Sequence, residues 1–94
     1  MTVNKHPKPV VEQTIRLLNS AAAPLCLTLE PWAEQYIVPS GTAVDVTAHG
    51  PSGGKLEISV EDDGIIVYGW TGSTVDVVQD GDAVTPMAPQ RASS

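Results

Sequence analysis

The chain has 94 residues, enough for one domain and too few for a second core. Hydrophobic residues make up 41% of it, yet Phe is absent and only two Trp and two Tyr occur, so Val, Ile and Leu must fill the interior. All eleven Asp and Glu lie between residues 11 and 83, where Arg16 and Lys55 are the only Lys or Arg, so this body carries nine net negative charges; such a surface repels phosphate backbones and anionic membranes and argues against nucleic-acid or membrane binding.

No apolar run approaches the roughly 18 residues needed to cross a bilayer, and the start through Pro9 lacks the apolar stretch of a signal peptide, so a cytoplasmic location is expected. The lone cysteine, Cys26, allows neither an internal disulfide nor a cysteine-based zinc cluster, which suits a reducing compartment.

Residues 1–10, with Pro7 and Pro9 flanking Lys8, and residues 84–94, with Pro86 and Pro89, are polar and aperiodic and read as flexible tails around a single β-domain over 11–83. Inside it, apolar residues recur at every second position, the period of half-buried strands. The first strand, Glu12 to Leu18, places Ile15 and Leu17 opposite Thr14 and Arg16. Asn19 begins a turn, and a second strand, Leu25 to Glu30, points Leu25, Leu27 and Leu29 inward and Cys26, Thr28 and Glu30 outward. These two read as an antiparallel hairpin, with Pro24 and Pro31 at the strand margins.

A short extended piece, Tyr36-Ile37-Val38, stops at the turn triplet Pro39-Ser40-Gly41. The next strand, Thr42 to Ala48, alternates Val44, Val46 and Ala48 against Asp45 and Thr47 and runs into the loop His49 to Gly54. The strongest local signal is the hairpin Lys55 to Trp70, whose arms meet at Glu61-Asp62-Asp63-Gly64. A two-residue Asp63-Gly64 turn pairs Ser59 with Tyr68 and Glu57 with Trp70. A three-residue turn with Gly64 left-handed pairs Ile58 with Tyr68 and Leu56 with Trp70. The second register is expected, because turning Ile66, Tyr68 and Trp70 inward hides more apolar area. A last strand, Thr74 to Gln79, carries Val75 and Val77 inward and ends at Asp80-Gly81-Asp82. The expected fold is all-β: a six- or seven-stranded antiparallel β-sandwich or a small partly open barrel.

Little in the chain points to chemistry. Cys26, His6, His49 and Met87 are the residue types of a blue-copper site, but in an order unlike that of cupredoxins. Asp80-Gly81-Asp82 lacks the spaced oxygens of a calcium loop. No nucleophile elbow, Walker loop or dinucleotide fingerprint is present, so no enzyme, no metal and no cofactor is expected. The most individual segment is Leu29 to Tyr36, where Trp32 either folds back to plug an open end of the sheet or stands out with Tyr36, beside Glu30 and Glu34, as an anchor for a partner.

The run Asn19 … Pro24-Leu25 … Leu29-Glu30-Pro31-Trp32 … Val38-Pro39-Ser40-Gly41-Thr42, followed by Glu61-Asp62-Asp63-Gly64 … Tyr68-Gly69-Trp70, resembles small bacterial β-domain proteins, many of them actinobacterial, with a Leu-Glu-Pro-Trp segment and a Pro-x-Gly turn. The Val-Pro-Ser-Gly-Thr stretch is also similar to strand starts in cupredoxin-like and immunoglobulin-like sandwiches. The resemblance implies a β-domain and brings no catalytic residues with it. The functional expectation is therefore a non-enzymatic protein-interaction or accessory module, with a small-ligand- or metal-binding β-domain as the alternative. Its expected contact residues are Leu18, Glu30, Trp32, Glu34 and Tyr36, and its partner is another protein or a second copy in a homodimer docked through the first hairpin.

Overall fold

The computed structural model describes residues 9–87. It contains β1 (Val10–Leu18), β2 (Leu25–Glu30), β3 (Glu34–Val38), β4 (Ala43–Pro51), β5 (Glu57–Glu61), β6 (Gly64–Tyr68), β7 (Thr74–Gln79) and β8 (Asp82–Ala83). Sheet I is ordered β1-β4-β7-β8 and sheet II β3-β2-β6-β5, an open sandwich and not a closed barrel. The count is eight because the Tyr36 piece extends back to Glu34 and because Asp82–Ala83 returns along β7. Among the described residues no helix is long and apolar enough to cross a membrane.

The alternation read from the sequence places the core. Leu27, Leu29, Tyr36, Val38 and Val67 of sheet II meet Val44, Val46, Ala48, Val75 and Val77 of sheet I. With no Phe available, fully buried Leu27 and Leu29 are the largest aliphatic fillers, and Tyr36 supplies the one buried ring.

Two expected pairings are corrected. The first two strands form no hairpin: β1 pairs with β4 along its whole length, from Val10↔Pro51 to Leu18↔Ala43, while β2 lies in sheet II between β3 and β6. The link between them crosses layers, and buried Asn19 secures it. Its Nδ2 donates to the carbonyls of Ala23 and Val38, both at 2.9 Å, and its Oδ1 accepts from the Ala21 N–H. Its backbone joins the Gly41–Thr42 strand start.

The β5–β6 hairpin takes neither register considered. Glu61 pairs with Gly64 around Asp62-Asp63, so Ile58 faces Val67 and Glu57 faces Tyr68. Tyr68 is therefore exposed and Val67 fully buried, the reverse of the expected parity, while Glu57 and Glu61 do face water. The cause lies outside the hairpin. Strand β6 runs parallel to β2 with Cys26 opposite Gly64, Leu27 opposite Ile65 and Leu29 opposite Val67, the exception in an otherwise antiparallel architecture. A Cβ on Gly64 would sit 2.2 Å from the Cys26 carbonyl oxygen. Gly64 thus permits close approach to β2 rather than a left-handed turn, and the central partner fixes the register.

At the C-terminal end the chain stays on the body past residue 83. Val84 packs against the core and donates to the Val77 carbonyl, and the Met87 N–H bonds the Gln35 carbonyl of β3 at 2.8 Å. At the other end Val10, expected in the tail 1–10, begins β1; of the two expected tails, residues 1–8 and 88–94 lie outside the described residues.

Candidate functional site

At one end of the sandwich the β2–β3 turn and the β6–β7 turn stand side by side. The first turn, Pro31-Trp32-Ala33, follows a cis Glu30–Pro31 peptide and takes Ala33 to a φ of 61°. The second, Trp70-Thr71-Gly72-Ser73, is closed by the Ser73 N–H on the Trp70 carbonyl at 2.9 Å, with Gly72 at a φ of 85° where a side chain is disfavoured. The Ser73 hydroxyl accepts from the Trp70 N–H and donates to the Trp70 carbonyl, which stiffens this turn. The two turns are joined directly, because the Gly69 N–H donates to the Glu30 carbonyl at 2.9 Å.

Glycine makes room for the aromatics. A Cβ on Gly69 would lie 2.8 Å from the Trp32 ring and 2.7 Å from Ser73 Oγ, and one on Gly54 would lie 1.9 Å from Trp70 Cδ1. Trp32 therefore lies over the Gly69 backbone. Trp70 lies on Gly54, with its indole N–H donating to the Pro51 carbonyl at 2.9 Å. Between the turns is an open cleft of about 530 Å³, lined by Glu30, Trp32, Tyr68, Trp70 and the Gly69–Ser73 backbone. Three of the four aromatic residues of the chain converge there.

The charge of the site comes from Glu30. It is the register partner of Tyr68, so carboxylate and phenol leave sheet II on the same outer face. Among the described residues the ion pairs are Arg16–Asp45 and His49–Glu12, both on the outer face of sheet I, and neither involves Glu30. The cleft is thus lined by three aromatic side chains and one half-buried carboxylate that pairs with no cation among the described residues.

Of the residues expected to form a contact surface, the structure brings together only Glu30 and Trp32, the latter 40% exposed. Tyr36 is corrected from an exposed anchor to a core residue. It is buried between the sheets, its hydroxyl donating to Glu34 at 3.2 Å, and burial with the adjacent Glu34 carboxylate pushes that hydroxyl up to about 12. Glu34 begins edge strand β3 on the inward parity and serves this bond. Leu18 is exposed, but it ends β1 opposite Ala43, whereas the Val10 end of β1 pairs with Pro51 beside Trp70. Leu18 and Trp32 therefore mark opposite ends of the sandwich and share no surface. The blue-copper residues are also dispersed, since Cys26 leaves the outer face of sheet II and His49 that of sheet I; no cluster of three metal-binding side chains occurs among the described residues.

The reading from sequence missed Tyr68, Trp70, Gly69 and Ser73. A signal was present in Tyr68-Gly69-Trp70-Thr71-Gly72-Ser73, where aromatics alternate with glycines that let rings lie against backbone. No protein-family model matches the chain, and no curated protein or solved structure is significantly similar to it.

Proposed function

We propose that the chain is a non-enzymatic interaction module that holds a cationic, extended segment of a partner protein in the cleft between Trp32 and the Tyr68–Ser73 turn. The observation that carries this reading is Glu30, a half-buried carboxylate without a cationic partner among the described residues, set among Trp32, Tyr68 and Trp70. Lys or Arg satisfies both features at once, because a cation over an aromatic face gains about 0.5–2 kcal/mol and a carboxylate supplies the counter-charge. The nine net negative charges of the body favour the same kind of partner and disfavour nucleic acid and anionic membrane. The cleft is larger than one side chain fills, so residues flanking the cation find the indole and glycine surfaces. Binding rather than catalysis is supported by the chemistry of the lining: Ser73 is engaged by the backbone of its own turn, and Glu30 is the one titratable acid beside it. The unpaired thiol of Cys26 suits a cytoplasmic setting.

Peptide arrays test the reading. Hexapeptides containing Arg or Lys should be retained in preference to matched acidic and neutral ones, and higher salt should weaken retention. Trp32→Ala and Glu30→Gln should each lower affinity by about tenfold, the loss of one desolvated π or charge contact. Equal retention of acidic peptides, or indifference to both substitutions, would refute it; selective binding of neutral sugars instead would assign the aromatic faces to stacking on carbohydrate.

A further inference from the structure

Sheet I ends in a strand that reads as its own partner. Strand β1 is nine residues long and an edge, and its outward side chains run Val10, Glu12, Thr14, Arg16, Leu18. The order is apolar, acidic, neutral, basic, apolar, and an antiparallel copy laid beside it about Thr14 sets Glu12 against Arg16, Arg16 against Glu12, and Val10 against Leu18. From this complementarity we infer that the chain forms a two-fold homodimer by β1–β1 pairing, joining two copies of sheet I into one continuous sheet.

The backbone supports this register. Asn19 donates to Thr42, and Pro9 accepts from Ser52, so in the alternation of an antiparallel ladder the odd-numbered residues of β1 bond to β4. The N–H and C=O groups of residues 10, 12, 14, 16 and 18 then point away from the sheet, without partners among the described residues. Pairing about Thr14 places these groups opposite one another over the full strand, and the axis at Thr14 is the one that matches every charge with its opposite. Charged residues on an edge normally guard against such pairing. Here the guard fails by symmetry, because each charge meets its complement.

The side chains most in need of cover lie at the same seam. Val10 is 71% exposed, Leu18 65% and Val60 79%. Val60 belongs to β5, the edge of sheet II on the β1 side, as the bonds from Gln13 Nε2 to Gly54 O and from Leu56 N to Gln13 Oε1 show. Ile58 and Val60 have inward parity, opposite Val67 and Ile65, yet remain exposed because the sandwich gapes along this side. A second copy related by the Thr14 axis brings its own β5 against that gap. On the outer face the existing pairs extend into one row of side chains: Asp45, Arg16, then Glu12 and His49 of the second copy.

A charge exchange measured by sedimentation equilibrium tests this dimer, at tens of micromolar. The unmodified chain should be dimeric. Glu12→Arg and Arg16→Glu should each place like charges across the seam and raise the dissociation constant about tenfold or more, and an equimolar mixture of the two variants should regain a dimer containing one of each. Thr14→Lys, which sets two ammonium groups face to face on the axis and leaves the Arg16–Asp45 and His49–Glu12 pairs of the monomer in place, should also yield monomer, with an unchanged far-UV circular dichroism spectrum. A monomeric unmodified chain, a dimer indifferent to all three substitutions, or a variant mixture that stays monomeric would overturn the proposal.

Discussion

Asn19 does more for this fold than its place in a link suggests. It is buried, and its amide nitrogen and its carbonyl oxygen are both engaged: two of the bonds close the β1–β2 crossing on itself, at Ala21 and Ala23, and the third ties it to Val38 at the end of β3. Removing the amide leaves the buried Val38 carbonyl without its donor, at a cost of about 1–3 kcal/mol, and also breaks the part-buried bond to Ala23. Asn19→Ala is therefore expected to destabilise the domain by roughly 3 kcal/mol in urea denaturation, with the slope unchanged. Tyr36 gives a second residue-scale prediction, in pH. Its hydroxyl titrates near 12 when folded, first through burial and then through Glu34, against about 10 in an unfolded chain. A raised folded value means that this contribution is intact below pH 10 and is lost as pH climbs from there through 12. The total loss is on the order of 2 kcal/mol. Comparison of the native chain with Tyr36→Phe isolates the effect: the difference in stability between them should be flat to pH 10 and then shrink or reverse above it.

At the scale of elements, Gly64 decides the architecture of sheet II. A methyl group there meets the backbone carbonyl of Cys26 at 2.2 Å, so Gly64→Ala must push β6 away from β2. Gly81, with a φ of 84° and nothing near its absent Cβ, offers the control. Gly81→Ala should cost about 1 kcal/mol of backbone strain, and Gly64→Ala about 3 kcal/mol or more, read from thermal unfolding. The same glycine shows where sequence reading stops. Period-two alternation assigned the inward faces of β1, β2, β4 and β7 correctly, because each has one apolar and one polar side. Strand β6 is apolar on both, with Ile65 and Val67 on one face and Ile66 and Tyr68 on the other, so burial of area could not choose its register. The choice was made by a parallel neighbour remote in sequence. For the same reason the first two strands looked like a hairpin: alternation tells which side of a strand is buried and says nothing about which strand lies beside it.

The fold gathers three aromatics and a carboxylate, unpaired among the described residues, at one end and leaves a self-complementary edge along one side. The aromatic end was half legible. Glu30 and Trp32 stood out as a pair, whereas Tyr68 was assigned to the core because its parity was taken from the wrong turn, and Trp70, which does pack against the core, was not read as part of the cleft. If both proposals hold, the dimer carries two clefts related by the Thr14 axis, and a partner with repeated basic segments gains avidity from them. The cleft is the central claim, and an amide titration by NMR with a short Arg- and Lys-containing peptide tests it most directly. The two indole N–H signals serve as internal reporters, since that of Trp70 is held by the Pro51 carbonyl and that of Trp32 belongs to the exposed ring. The account predicts saturable shifts confined to Glu30–Ala33 and Tyr68–Ser73, a large change in the Trp32 indole signal and a small one in that of Trp70. Shifts centred on the sheet faces or on β1, or none at millimolar peptide, would contradict it.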